Sequence, residues 1–468
     1  MKWKTILKSF KNRDMQKRLL TVLGLVVVYR FLAHVPVPLA EPTQLREVIN
    51  SIVSGTDFGG FLNLLSGGAL ASFSVVLVGL SPFITASIVT QLLTKAIPKL
   101  EELHKDGESG RRKIQQWTRI ITLPLAIIQS IAFIYILRQS VLQGNTTGLG
   151  ETTLLEWIIA VTAMTAGAML LMWMGELMTE QGIGNGLSLL IFAGIISQLP
   201  QVMSSLTQSL FETSSGALSV FGWFSIPVNP LIFYVVLALG AISLATAYIL
   251  VKINEAQRVI TINYAKRVQG NSNYGGVKST LPLKLFPAGV LPVTFHVPFL
   301  SPPAFIGQVM KAGGHNPELA NNLITWFQTP NPGEFTGGNL EAFIYPAMYF
   351  LLVILFTYFY TGIIFNSNEI AENLQKQGGF IDGVRPGEQT EKYLSMTMNR
   401  LILFGSLVLG LIAVMPFAIE YGLYHLTGIQ SANLAVGGTG ILIVVSVALE
   451  ALRQINSRAL MVTYDDYK

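Results

Sequence analysis

Apolar residues along this chain gather in long unbroken runs separated by shorter polar segments. A bilayer core of ~30 Å takes roughly 20 apolar residues per helical span. Ten stretches reach that length, near 19–35, 70–94, 118–138, 154–175, 183–203, 230–252, 288–311, 342–366, 399–419 and 434–455. A transmembrane barrel would instead repeat ~10-residue segments of alternating character, and none recur. The pattern therefore predicts an all-α integral membrane protein with ten transmembrane helices. Ten divides into five plus five. The loop 204–229, rich in Ser, Thr and Gly, is the natural divider between an N-terminal half (1–203) and a C-terminal half (230–468), and reads as an irregular outer hinge. An odd number of spans per half requires any structural repeat to be inverted about an axis in the membrane plane. No repeat between the halves is visible in the residues themselves, so the inverted pseudo-symmetry follows from topology alone.

Two places break the simple helical pattern. Between the first two spans, Asp57 to Leu70 carries an apolar part too short to cross a bilayer, with paired glycines at Gly59, Gly60, Gly67 and Gly68. Irregular backbone at membrane depth is tolerated only where protein or water surrounds it. By pattern alone, a re-entrant segment and an interfacial outer helix fit equally well. Span seven holds Pro287, Pro292, Pro298, Pro302 and Pro303. Proline removes a backbone donor and clashes with the preceding turn, so this span reads as a kinked helix and a candidate hinge.

Charge gives the orientation. Of the 31 Lys and Arg residues, 26 fall on one side of the ten spans, counting Arg400 and Arg453 at the inner ends of the last two, and three, Arg46, Arg138 and Lys311, on the other; Arg30 and Arg119 lie inside or at the edge of spans. Basic loops are retained in the cytoplasm. The inner loops are then 1–18, 95–117, 176–182, 252–287, 367–398 and 456–468, with both ends of the chain cytoplasmic and the protein in a plasma membrane. The basic segment Met1 to Arg18 ahead of an apolar run superficially resembles a secretory signal, but it reads here as the inner flank of span one. The composition, 51% hydrophobic and 12% charged, suits a membrane protein. Net charge +5 and pI ≈ 9.2 follow from the inner loops and do not call for nucleic acid. Those loops suit anionic headgroups or an acidic partner.

Catalytic chemistry is hard to find. Cysteine is absent, which excludes disulfides and thiolate chemistry. The five histidines (His34, His104, His296, His315 and His425) are scattered, and neither H-E-x-x-H nor a phosphate-binding Gly-rich loop occurs. No cofactor or metal is implied, and the chain does not read as an enzyme. Ion-coupled carriers keep titratable groups near the midplane, where charge is expensive. Here Glu176, Glu180 and Glu450 sit near inner helix ends, leaving His296 as the one deep titratable group. An apolar centre suits a passive pore with a hydrophobic gate. An alternating-access carrier for a small solute is the alternative, and a membrane scaffold a third class.

Several segments carry a resemblance in order and at consistent spacing. They are Leu65-Ser-Gly-Gly-Ala-Leu70, Gly79-Leu-Ser-Pro-Phe-Ile-Thr-Ala-Ser-Ile88, Gly107-Glu-Ser-Gly-Arg-Arg-Lys113, and Trp173-Met-Gly-Glu-Leu-Met-Thr-Glu-Gln-Gly-Ile-Gly-Asn-Gly186 followed by Ile191-Phe-Ala-Gly194. Further on come Tyr264-Ala-Lys-Arg267, Leu281-Pro-Leu-Lys284, Ala288-Gly-Val-Leu-Pro292, Gly378-Gly-Phe-Ile-Asp-Gly-Val-Arg-Pro-Gly-Glu-Gln-Thr390 and Gly437-Gly-Thr-Gly440. Nearly end to end, the chain resembles the SecY family, the channel subunit of the bacterial protein-secretion translocase.

That resemblance implies two five-helix halves around an hourglass pore that opens sideways between spans two–three and seven–eight. It implies that Asp57 to Leu70 is a re-entrant plug, with Phe61, Leu62, Leu64, Leu65, Gly67 and Gly68 as its body. The family's pore ring falls on Leu80, Ile84, Leu187, Ile191, Thr294 and Ile443, with Thr294 departing from the usual aliphatic choice. Gate-lining positions fall on Thr85 and Gln129, expected to bond across the seam, and on Pro298, where the family tends to have a small residue. Docking residues for a SecA motor ATPase or a ribosome fall on Lys266, Arg267 and Arg385. After Arg267 the family tends to be basic, whereas this chain reads Gly270-Asn-Ser-Asn-Tyr-Gly-Gly276. SecE-like and SecG-like membrane subunits, signal peptides and unfolded polypeptide complete the implied partners.

Overall fold

The computed structural model describes residues 13–37, 69, 72–143, 153–212, 218–220, 224–226, 230–264, 267–269, 272–274, 278–285, 287, 291–294, 296–312, 314, 316–328, 330, 340–427 and 443–457. In chain order the first helices are α1 (Arg13–Leu32), α2 (Ser81–Ala96), α3 (Pro98–Lys105), α4 (Glu108–Gln143), α5 (Leu154–Glu180), α6 (Gly186–Glu212) and α7 (Pro230–Glu255). Then follow α8 (Leu291–Thr294), α9 (His296–Ala312), α10 (Pro317–Phe327), α11 (Ile344–Ile364), α12 (Ser367–Lys376) and α13 (Glu388–Thr427). A last helical stretch, α14, covers 443–457.

Among the described residues, five helical segments are long and apolar enough to cross a membrane: 108–135, 154–180, 232–255, 340–376 and 388–419. Helices α1, α2, α6, α9 and α14 fall within the other five predicted spans. Large side chains such as Ile120, Leu244 and Leu411 point outward with nothing from this chain covering them. In water such faces would be costly; in hydrocarbon they face their own kind. Threonine hydroxyls within the spans are satisfied locally. Thr90, Thr122, Thr357 and Thr361 each donate to the carbonyl four residues back, at 2.6–2.7 Å. With no water to bond, a hydroxyl in a bilayer turns to its own helix.

Glycines set the closest helix approaches. A Cβ on Gly167 of α5 would lie 2.1 Å from the Val75 carbonyl oxygen. The segment around Val75 is held against the end of α1 by Val37 N–H to Phe73 O at 2.9 Å and Val75 N–H to Val35 O at 3.0 Å. A Cβ on Gly186 would lie 1.9 Å from the Gly175 carbonyl oxygen, and one on Gly175 would lie 2.7 Å from Leu187 Cδ2. Thr179 bridges this turn, donating to Gly175 O at 2.8 Å while accepting from Gly186 N–H at 2.8 Å. Arg18 reaches from α1 to the Gln181 carbonyl at 3.1 Å. The glycine-rich run 182–186 is thus a tight reversal locked from three sides.

Three features differ from the sequence expectation. The first concerns helix ends. α6 continues through Pro200 to Glu212, so 204–212 is helical rather than irregular, and strands β1 (Leu218–Val220) and β2 (Phe224–Ile226) pair antiparallel within the outer loop. Apolar residues such as Leu206, Leu210 and Phe211 continue past Pro200 and carry the helix onward. The second is that spans three and nine are the central parts of much longer helices, α4 and α13, which take in neighbouring loop residues.

The third is a sheet where only loops were expected. Strand β3 (Gln257–Tyr264) is followed by the hairpin β4 (Arg267–Gln269) and β5 (Ser272–Tyr274), then by β6 (Lys278–Lys284), with β7 (Gly379–Ile381) far along the chain. β3 lies between β6 and β7, antiparallel to both. Ile260 and Ile262 are buried while Val259 and Thr261 are exposed, the period-two alternation of a half-buried strand. Ile260, Leu283 and Ile381 pack with Leu394, Met398 and Ile402, one stripe of α13.

Replacing Gly186 by Ala forces α5 and α6 apart and is expected to destabilise by about 1–3 kcal/mol, as overpacking does. Gly240 is the control, because a Cβ added there would meet nothing within 4 Å: Gly240→Ala should be neutral or slightly stabilising. Thermal unfolding of the purified protein in detergent checks this; equal melting temperatures would dismiss the close-approach role.

Candidate functional site: an aliphatic cluster and a seam between helices

Five of the six expected ring positions come together. Leu80, Ile191 and Ile443 are buried in one cluster with Val76, Leu171, Met174, Leu190 and Val447, and Ile84 and Leu187 pack against it. Local sequence explains each orientation. Gly79 adopts φ +62°, a left-handed conformation that glycine tolerates, and delivers the chain to Leu80 at the start of α2. Pro82 then occupies the first turn, where its missing N–H costs nothing. Ile84 N–H donates to Leu80 O at 3.0 Å, so Leu80 and Ile84 stack one turn apart on one face. Leu187 and Ile191 repeat that spacing at the start of α6, with Leu187 seated against Gly175. Ile443 enters from α14, so residues from both ends of the chain close the cluster. Thr294 ends α8, and its side chain lies outside the described residues.

The expected plug residues Phe61, Leu62, Leu64, Leu65, Gly67 and Gly68 also lie outside the described residues. Ala69, just after them, is buried in the same cluster as Leu80.

The seam between α2 and the later helices is apolar. Ile88 of α2 and Phe356 of α11 are buried together, with Ile84, Leu92, Leu352 and Tyr360 against them. Phe299 of α9 packs against Phe356 with the rings tilted by 50° and their centroids 4.8 Å apart. Ile84 touches both clusters and links collar to seam. Thr85 does not make the expected bond across the seam: its hydroxyl donates to Ser81 O of its own helix at 2.9 Å. The reason is the one that governs the other span threonines, a carbonyl always within reach four residues back. Gln129 is half-buried on α4, and Pro298 lies in α9 with its side chain outside the described residues. Sequence reasoning missed Ile88, Phe299 and Phe356, because a single apolar residue on an apolar span carries no signal of its own.

At the inner edge of α4 and α5 a polar pair stands out. Arg119 grips Glu176 with both Nε and a terminal nitrogen at 2.8 Å, and Gln115 adds a third contact at 3.2 Å. Two-pronged contacts of this kind are the stronger ion pairs, and they tie the two helices beside the 182–186 reversal.

Of the expected docking residues, Arg385 lies just beyond the pairing of β3 with β7. β7 pairs with β3 through Ile262 and Ile381, Asn263 and Phe380, and Tyr264 and Gly379. The Asn263 side-chain amide donates to the Asp382 carboxylate. Gly379 leaves no room for a side chain, with Tyr264 Cε1 at 3.1 Å and Ile262 Cγ2 at 3.2 Å from its would-be Cβ. Arg385 is exposed in the loop that follows, and its carbonyl accepts from Thr390 Oγ1 at 2.8 Å. Left-handed Gly383 (φ +76°) and Gly387 (φ +99°) bracket it. Arg267 opens β4, opposite Tyr274, with its side chain outside the described residues, as is Lys266 altogether. β4 and β5 pair antiparallel, Gln269 opposite Ser272.

Comparison with known proteins agrees with this geometry. The SecY family model matches residues 74–452. The chain is 37% identical to the protein translocase subunit SecY of Streptomyces galbus, over 98% of each chain. It is 38% identical to that of Corynebacterium glutamicum, again over 98% of each. Among solved structures it is similar to a SecY channel described for a plug domain that maintains a membrane seal (TM-score 0.63, 16% identity, covering 94% of this chain and 91% of that one). It is also similar to Sec61 in the canine ribosome–channel complex (TM-score 0.59, 16% identity, 94% and 91% covered). The structural likenesses show the same fold, the sequence matches run nearly end to end, and the chain is a member of the SecY family.

Proposed function

We propose that this protein is a channel for unfolded secretory polypeptides, passing them across the bacterial plasma membrane and releasing apolar helices sideways into the bilayer. The observation that carries this reading is the convergence of Leu80, Ile84, Leu187, Ile191 and Ile443 in one aliphatic cluster. Branched aliphatic side chains around a narrow throat exclude water, so ions meet an unhydrated barrier. They also rearrange around a passing chain without demanding a sequence, and they offer no charge or strong hydrogen bond on which it would stall. Thr294 completes the ring in this reading. A threonine there would keep the seal dry if its hydroxyl bonded back to its own helix and left the methyl group toward the throat.

The two halves, 1–203 and 230–468, clasp the pore about the 204–229 hinge, with both termini cytoplasmic and the segment from Phe61 to Gly68 as plug. Thr85, Gln129 and Pro298 border the lateral opening. An apolar seam favours an apolar signal helix as the key, because the entering side chains replace the contacts made by Ile88 and Phe356. Lys266, Arg267 and Arg385 dock a SecA motor or a ribosome, which supplies the energy, since nothing here suggests that the chain catalyses a reaction itself. SecE-like and SecG-like subunits accompany it.

Site-specific crosslinking from position 191 or 443 to an arrested export intermediate should give adducts along the substrate chain. A carrier would instead bind one small solute saturably and give none. Thr294→Ile is expected to leave export working and to lower residual ion leak in planar-bilayer conductance; an unchanged leak puts Thr294 outside the ring. Arg385→Glu reverses an exposed charge in the loop after β7 and should abolish motor-driven export in reconstituted vesicles. Substitutions at 271–273 should matter less, and normal export by the Arg385 variant would remove the docking role.

A further inference from the structure

α10 is a short helix with three distinct faces. Gly314 (φ +68°) and Asn316 (φ 44°) turn the chain sharply after α9, and α10 folds back along it. Gly307 makes that approach possible: a Cβ there would meet Leu323 Cβ at 2.9 Å, Ala320 O at 3.0 Å and Ile324 Cγ1 at 3.1 Å. At ~100° per residue, Ala320, Ile324 and Phe327 form the sector turned to α9. Asn321, Thr325, Glu318 and Asn322 form a polar sector, within which Thr325 donates to Asn321 O at 2.9 Å. Between these lies a third sector, Leu319 and Trp326, two turns apart and 52% and 38% exposed.

Nothing among the described residues covers that third sector. Close to it, Ile306 on α9 and Leu340 and Phe343 ahead of α11 are likewise exposed. α10 touches the 340–343 turn that leads into α11, and along α11 Leu351 and Leu355 are exposed as well. α10 carries no basic residue, and its one ionised group, Glu318, is in the first turn. A helix that packs on one side, wets on another and shows Leu and Trp on the third matches one lying in the interface between lipid and water, where Trp is favoured.

We propose that α10 is an interfacial anchor: Leu319 and Trp326 sit in the lipid headgroup region at the ends of spans seven and eight, so that the α9–α10 hairpin is moored to the leaflet. Because α9 also meets α2 and α4, the moored hairpin forms one wall of the seam, and its position responds to the lipid around it.

The test is fluorescence of the full-length protein in phosphatidylcholine vesicles, compared with Trp326→Phe so that the difference isolates Trp326. Lipid brominated near the headgroup end of its acyl chains should quench that difference by roughly twofold, as expected for burial 5–10 Å into the boundary, and aqueous acrylamide only weakly. Leu319→Asp should weaken the bromolipid quenching. Efficient quenching by acrylamide with none by bromolipid would mean that the face is wet, and resistance to both would mean that another protein covers it. Either result overturns the proposal.

Discussion

Backbone-to-backbone approach at Gly175 and Gly186 governs much of what surrounds it. With no side chain on either residue, α5 and α6 meet closely enough for Thr179 to bond both ends of the reversal. That contact fixes the rotation of α6 at its first residues, and Leu187 and Ile191 follow from it. Gly79 acts in the same way on the other side, delivering Leu80 and Ile84 on one face of α2. The aliphatic cluster therefore depends on where glycines permit the backbone to go, and its own side chains contribute bulk and dryness. Shape comes from the smallest residues and the barrier from larger ones.

The cluster and the seam are held by the same kind of force. Both consist of aliphatic and aromatic contacts, and Ile84 belongs to both. Dispersion contacts are individually weak and interchangeable, so a wall made of them yields to another apolar surface without a specific bond being broken. Thr85 adds to this picture by what it does not do. By bonding to Ser81, it donates no hydroxyl proton across the seam. In the proposed channel an apolar helix entering there would displace like with like and would touch Ile84, which also packs against the aliphatic cluster.

Much of this was legible in the sequence, and the reason lies in the solvent. A bilayer imposes length and hydropathy on every span, so helices can be read without knowing what packs where. Glycine-rich motifs also read well, because a tight reversal such as 182–186 accepts few alternatives. The inner-loop sheet was less visible, although Val259-Ile-Thr-Ile262 has the β-branched alternation of a strand. Its partner β7 lies more than a hundred residues away, and no local pattern announces such a pairing. The seam contacts of Ile88, Phe299 and Phe356 were hidden for the opposite reason: in an apolar span every residue looks alike. The plug, Thr294 and Lys266 fall outside the described residues, so their roles rest on the resemblance alone.

The inner sheet also bears on how a partner's push reaches the membrane. β3 and β7 bring two loops separated in sequence into one body, and that body packs on Leu394, Met398 and Ile402 of α13. α13 is a single helix of 40 residues, ~60 Å at the usual rise, and further along it Leu409, Ile412 and Ala413 pack in the core with Tyr349 and Val353 of α11. α11 carries Phe356, the seam residue. In the proposed channel, a partner pressing on the Arg385 loop would thus act through packed elements that reach the seam. Packing alone does not make a switch, which requires a second arrangement of the same parts. In the proposed channel that second arrangement would be the seam parted around an apolar helix, whose side chains would take the place of the contacts made there.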